Sequence, residues 1–423
     1  MKLIIKNGRV LDPAGRRDGI EDIYVRDGLF SAPFEADGET VVVEAAGLLV
    51  APGLVDMHVH LREPGYEYKE TIATGTAAAA RGGFTGVACM PNTEPVTDNR
   101  TVVEYIGKKA LEEGAVRVYP VGAITRGSRG KELAELADMR EAGAAAFSDD
   151  GQPVMDAGLM RRAMQYCKML GAAIISHCED KDIAGGGVMH EGYYSTVLGL
   201  KGIPAAAEEV MVGRDIILAA ETGCPLHIAH VSTAGSVALV REAKKRGVPV
   251  TAEVAPHHFT LSDLAVAEYD TNTKVNPPLR GESDVQAVRE GLADGTIDVI
   301  ATDHAPHSFD EKNVEFDLAP FGLVGLETAV GLVWTELVQK GVLTPLQAVE
   351  KLSRNPAGIL GVSGGTMAVG APADITVIDP RLEETVDPAG FAGKSKNMPF
   401  AGRRLQGLPA LTVVAGEIKY RRS

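Results

Sequence analysis

The chain of 423 residues is 45% hydrophobic but only 5% aromatic, so it can bury a large core built mostly from small side chains. Its formal charge of −15 argues against nucleic-acid binding, which normally needs a basic face. No apolar run reaches the roughly 18 residues of a membrane span, and the first residues show no apolar signal segment. The four cysteines, Cys89, Cys167, Cys178 and Cys224, form no Cys-x-x-Cys pair and read as small buried hydrophobes of a reducing cytoplasm.

Residues 1–50 read as short strands, KLIIKNGRVLD, EDIYVRDGLF and TVVVEAAGLLVAPG, separated by turn residues such as Asp12-Pro13 and Asp27-Gly28. The rhythm then changes. Across residues 51–362, eight short apolar runs alternate with helical patterns such as ETIATGTAAAARGG and DAGLMRRAMQYCKMLG. The runs are GLVDMHVH, FTGVACM, VRVYPVG, AAAFSDD, AAIISHC, PLHIAHV, VPVTAEV and IDVIATDH. Eight β-then-α units predict a closed (β/α)8 TIM barrel. No Gly-x-Gly-x-x-Gly stands at a strand-to-helix turn, which weakens the rival reading as an open doubly wound sheet. Residues 308–322, SFDEKNVEFDLAPFG, are polar and irregular and read as a mobile loop beyond the eighth strand that closes over the mouth. Residues 363–423 return to strand patterns, ITVIDP and LTVVAGEIKY, and are expected to join the first 50 residues in one small β-sandwich domain.

The chemistry-bearing residues sit at the ends of the apolar runs, which in a barrel is the mouth where sites form. His58 and His60 alternate with Val59, so they share a face of the first strand and offer two nitrogens to a metal. The fourth run ends in Asp149-Asp150, the fifth reaches His177, the sixth His230 and the eighth Asp303. A buried convergence of imidazoles and carboxylates is costly unless a cation compensates it. Four histidines with Asp150 and Asp303 exceed one tetrahedral zinc site, whereas two ions sharing a bridging carboxylate would use them all. Manganese and cobalt suit the same donors. His190, His227, His257, His258 and His304 read as structural; His227, three residues from His230, would face the opposite side of an ideal strand.

GLVDMHVHLREPG, CMPNT, FSDDG, SHCED, HVST, VNPPLR, ATDHAPH and KSKNMPFAG together resemble the dihydroorotases of the amidohydrolase superfamily, along nearly the whole chain. The resemblance implies a cytoplasmic, zinc-dependent enzyme of pyrimidine biosynthesis holding two Zn2+ per chain, or one. Such an enzyme interconverts N-carbamoyl-L-aspartate and L-dihydroorotate through a metal-activated hydroxide. It implies that His58, His60 and Asp303 bind one ion and that His177 and His230 bind the other. Related hydantoinases and allantoinases bridge their metals with a carboxylated lysine on the fourth strand. Phe147-Ser148-Asp149-Asp150 has none, which matches a bacterial subgroup bridged by aspartate, here Asp150, with Asp149 as the alternative. Asp303 is the implied general acid/base. Arg62, Asn92, Asn276 and His307, with His60 and the backbone of Phe321 and Gly322, are the implied substrate contacts. A homodimer is expected, and the resemblance leaves room for association with aspartate transcarbamoylase. Two other readings stay open: a hydantoinase or allantoinase, and a non-catalytic scaffold for that transcarbamoylase.

Overall fold

In the computed structural model, which describes residues 2–422, all eight apolar runs become parallel strands of one sheet. The strands are Leu54–Val59, Phe84–Cys89, Arg117–Gly122, Ala146–Phe147, Ile174–Ser176, Leu226–Ile228, Val250–Val254 and Val299–Ile300, each paired with its neighbour in sequence order. The ring closes between the last and the first: Val59 bridges His304, and the His60 N–H donates to the His304 carbonyl over 2.8 Å. Every residue of the first strand is buried, as expected where helices cover one face of a parallel sheet and its own lumen the other.

Small side chains make the closed ring feasible. Val55, Met57, Ala88, Val121, Ala146, Ile175, Ala229, Val299 and Ala301 form one buried cluster with Ala357 and Leu360, separate from the larger cluster beneath the helices. Helices start where a side chain satisfies their first free N–H groups. Thr71 caps Ile72–Arg81 in a capping box with Thr74, Asp156 caps Ala157–Met169 through Leu159 N–H at 2.8 Å, and Thr233 caps Ala234–Lys245 through Ser236 N–H at 3.1 Å. Gly223, at φ 68°, ends Ala206–Thr222 in a left-handed conformation that costs glycine nothing.

The two ends of the chain build a second, eight-stranded sheet. Leu49–Pro52 pairs antiparallel with Ile375–Ile378, joining the N-terminal strands to Arg404–Val414 and Glu417–Arg421. Leu3, Ile5, Val10, Val25, Val50, Ile375, Val377 and Val413 form its buried cluster. Polar contacts fix it to the barrel: Thr376 Oγ1 donates to Gly83 O at 2.6 Å, Thr412 Oγ1 to Ala80 O at 2.7 Å, and Arg117 forks onto Asp374 at 2.8 and 3.2 Å.

Residues 308–322 are less irregular than their sequence suggests. Ser308 and Glu311 form a capping box on a turn of helix, Phe309–Lys312. Buried Lys312 then donates to Pro320 O at 2.9 Å and Gly322 O at 3.0 Å, and buried Lys274 to Phe316 O at 2.8 Å and Asp317 O at 3.0 Å. The carbonyls of this excursion are therefore held by ammonium groups that a hydropathy reading scores as surface. Among the described residues, no helix is long and apolar enough to cross a membrane.

Candidate metal centre and substrate cavity

The strand ends deliver their side chains to one rim, and the backbone bends to do so. Arg62, His230 and Asp303 lie at φ 63°, 32° and 49°, a left-handed region that non-glycine residues enter at a cost of order 1–3 kcal/mol. Each follows the end of its strand, where leaving the pleat re-aims the side chain over the lumen. Asp56, buried in the first strand, braces this turn by accepting from the N–H groups of His58 and Thr302, each at 3.1 Å.

Two groups of donors result, and they share one residue: His58, His60 and Asp150 form the first, and Asp150, His177 and His230 the second. His58 Nε2 lies 3.2 Å from Asp150 Oδ1 and His60 Nε2 3.5 Å from Asp150 Oδ2. Asp303 Oδ1 stands 3.1 Å from His60 Nε2 and 3.6 Å from His58 Nε2. On the other side, His177 Nδ1 and His230 Nε2 are each 3.7 Å from Asp150 Oδ1 and 2.9 Å from each other. Ligands about 2.0–2.2 Å from a tetrahedral zinc ion sit roughly 3.3–3.6 Å apart, close to these spacings. His58 Nε2 and Asp150 Oδ1 are buried with no hydrogen-bond partner among the described residues, a state that costs free energy unless a cation supplies the partner. The donor set thus fits a divalent metal, with Asp150 common to both groups.

Electrostatics keep the carboxylates ionised for this purpose. Burial pushes Asp150 and Asp303 up, but the surrounding imidazoles of His58, His60 and His230 outweigh it and hold both well below the usual carboxylate range. The neighbouring Asp149 is turned elsewhere, accepting from Thr125 N–H at 3.0 Å and from the Thr125 hydroxyl.

Behind the donors stands a layer that orients them. Glu253, next to the C-terminal end of the seventh strand, accepts from His58 Nδ1 at 2.5 Å and faces His227 Nε2 at 3.1 Å. Burial raises its carboxyl, yet the His58 and His227 rings more than offset this and hold it at about 2. A carboxylate on the far nitrogen of a ligating imidazole fixes its tautomer and makes the near nitrogen a stronger donor. Glu179 Oε2 stands 2.5 Å from Lys181 Nζ and 3.7 Å from His177 Nε2, so a carboxylate also flanks the second group, without the hydrogen bond that Glu253 makes. Sequence reasoning missed Glu253, Glu179 and Lys181 and gave His227 only a structural role. For Glu253 the one available signal was a lone carboxylate within the apolar run VPVTAEV, and for Glu179 its place in SHCED beside His177.

A cavity of about 430 Å3 opens above the donors, lined by Arg62, Asn92, Asn276, His307, Phe321 and Gly322 together with His60, Asp150, His177, His230 and Asp303. Every residue expected at the site except His58, which lies deeper, therefore borders one space. Arg62 Nε donates to Pro306 O at 3.2 Å and its Nη2 lies 3.4 Å from His307 Nε2, which also faces Phe321 O at 2.9 Å. Burial, then the Arg62 charge, lowers the His307 pKa, so its ring is neutral. Asn92 commits its Oδ1 to His60 Nδ1 at 2.8 Å, leaving its amide nitrogen for a ligand, and Asn276 Nδ2 donates to Glu179 Oε1 at 3.3 Å. The remaining histidines stay outside both donor groups: His304 Nδ1 accepts from Gly325 N–H at 3.1 Å and His258 Nε2 donates to Pro277 O at 2.9 Å.

Known proteins share these features. A family model described as dihydro-orotase-like matches residues 47–236. The chain is 68% identical to the dihydroorotase of Pelotomaculum thermopropionicum over 99% of its own length and 98% of that protein's. It is 56% identical to that of Syntrophus aciditrophicus, covering 99% of each chain. Among solved structures, the L-hydantoinase of Arthrobacter aurescens superposes with a TM-score of 0.89 at 27% identity, covering 100% of this chain and 96% of that one. Identity of this extent over the full length, with the donor and cavity residues gathered at one rim, means that the chain belongs to the dihydroorotase family.

Proposed function

We propose that the chain is a cyclic amide hydrolase that interconverts N-carbamoyl-L-aspartate and L-dihydroorotate in pyrimidine biosynthesis. The observation that carries this reading is the pair of His/Asp groups sharing Asp150 at the floor of a cavity whose wall holds Arg62, Asn92, Asn276 and His307. His58, His60 and Asp303 would hold one ion, His177 and His230 the other, with Asp150 between them; two Zn2+ per chain are the proposed complement. Bound there, such ions lower the pKa of water to about 7 in favourable zinc sites and polarise the substrate carbonyl.

The protein's own groups do the rest. Arg62, fixed by Pro306 O, presents its guanidinium to the free carboxylate of the substrate, a planar fork on a planar anion. Asn92 adds a hydrogen bond to the same carboxylate, as does neutral His307 once its one N–H turns from the Phe321 carbonyl to the substrate, and the Gly322 backbone closes its side of the cavity. Asp303 reaches both the first donor group and the cavity, so its carboxylate can accept a proton from the attacking water. As the ring C–N bond breaks, that proton passes to the departing nitrogen, the water oxygen stays in the new carboxylate, and its second proton leaves to solvent. In the cyclising direction Asp303 takes the proton from the carbamoyl nitrogen and returns it to the leaving oxygen, which departs as water with a second proton taken from solvent.

Likeness to L-hydantoinase favours a neighbouring cyclic amide as the second reading. Turnover of dihydroorotate, hydantoin and allantoin, measured beside the metal-to-protein ratio, separates the two. Preference for dihydroorotate with close to two zinc ions per chain is expected, and preference for hydantoin overturns the substrate assignment. A homodimer, a cytoplasmic location and association with aspartate transcarbamoylase belong to the same reading. Four free buried cysteines fit the location, and sizing with and without the transcarbamoylase tests the assembly.

A further inference from the structure

The stretch KSKNMPFAG lies between the two long C-terminal strands, Ile375–Thr385 and Arg404–Val414, yet it runs back to the barrel mouth. Ser395 Oγ donates to Lys69 O at 2.7 Å and Lys394 N–H to the Glu70 carboxylate at 3.1 Å, so the segment is anchored beside the first βα loop. Asn397 follows, with only 6% of its surface exposed.

Its amide is fully used. Asn397 Oδ1 accepts from His307 N–H at 3.0 Å, while Nδ2 donates to Ala305 O at 3.2 Å and Gly322 O at 3.1 Å. Its own carbonyl accepts from Val324 N–H at 2.8 Å. One side chain thus joins both ends of the 308–322 excursion, at the residues that form the carboxylate side of the cavity. Asn397 itself borders not that cavity but the adjoining one, behind His307. Only an amide of this length presents an acceptor to one backbone N–H and two donors to two carbonyls. An aspartate keeps the acceptor but turns a negative oxygen towards the carbonyls.

We propose that Asn397 is a positioning residue for substrate recognition: it fixes His307 and Gly322 against Arg62, so that the terminal β-domain sets the geometry of a subsite it does not line. This rests on the proposed role of His307 in holding the substrate carboxylate. Because the effect passes through His307, it falls on KM, and its loss is not additive with loss of the His307 ring.

The test is a double-mutant cycle on the metal-loaded enzyme with dihydroorotate, using Asn397→Ala, His307→Ala and the pair. Metal content and thermal midpoint are measured on each variant. Asn397→Ala is expected to raise KM about tenfold with kcat within about threefold. In the His307→Ala background the same change should raise KM less than about twofold. If His307→Ala raises KM but the two losses simply add, or if Asn397→Ala leaves KM unchanged, the positioning role is overturned while the subsite reading stands. An unchanged KM in His307→Ala overturns both. Asn397→Asp, which keeps the bond to His307 N–H, carries the same cycle should the alanine variant not fold, with the same sub-additivity expected and additivity again decisive.

Discussion

Replacing Glu253 by glutamine probes the metal centre without touching a ligand. The carboxylate accepts from His58 Nδ1 at 2.5 Å, faces His227 Nε2 at 3.1 Å and lies 3.4 Å from His230 N–H. Alanine would strand two buried ring nitrogens at about 1–3 kcal/mol each. That loss, about 2–6 kcal/mol, is a large part of a domain's whole stability, and it would mask any local effect. Glutamine keeps the volume. Its carbonyl oxygen can still accept from His58, and its amide can donate to His227 Nε2 once the His227 proton moves to Nδ1, 2.8 Å from Thr251 Oγ1. What disappears is the negative charge that makes His58 Nε2 a strong donor. Loss of such a supporting partner weakens metal binding by about 10–100-fold, or about 1.4–2.7 kcal/mol at about 1.36 kcal/mol per tenfold. Metal-free protein titrated with zinc against a chromophoric chelator reads this directly, with thermal midpoints on the same samples. One of two affinities should fall by that factor while the other changes little. Zinc affinities within about twofold of the parent would refute the argument that Glu253 acts on the metal through His58.

Other substitutions separate the remaining roles. Asp303→Asn should retain most of the bound metal, because His58, His60 and Asp150 remain, yet lose nearly all turnover; near-normal kcat would contradict the acid/base assignment. Arg62→Met should raise KM for dihydroorotate far more than it changes metal content, and an unchanged KM would remove Arg62 from carboxylate binding. Gly322→Ala places a Cβ 2.7 Å from that of Ala305, at φ 128°, so it should destabilise by more than about 1 kcal/mol and raise KM. A variant with parental melting and kinetics would show that this backbone tolerates the side chain. The pH profile offers a further check: with the His307 pKa lowered by burial and Arg62, the neutral ring persists below its usual titration range. Its folded state binds protons less readily than the unfolded chain, so it makes stability fall as pH drops below about 6.5. His307→Asn should flatten that part of the stability profile, and an unchanged acid limb would show that other groups set it.

The eight apolar runs were legible as barrel strands because a parallel strand covered on both faces must be apolar along its whole length, and the helices between them carry their own period and caps. His58, His60, His177, His230, Asp150 and Asp303 were legible because each falls at the C-terminal end of such a run, the end a barrel gathers into one mouth. Between two adjacent carboxylates, period-2 alternation separates Asp149 from Asp150 without saying which faces the lumen, and only the family resemblance favoured Asp150; tertiary structure places Asp150 among the donors and turns Asp149 to Thr125. It also brought Glu253, His227 and Glu179 behind the donors, and Asn397 behind His307. These partners lie up to 195 residues from the groups they orient. A hydrogen bond across that separation leaves no periodic trace in sequence, because it depends on the relative placement of whole elements rather than on the local pattern of either one.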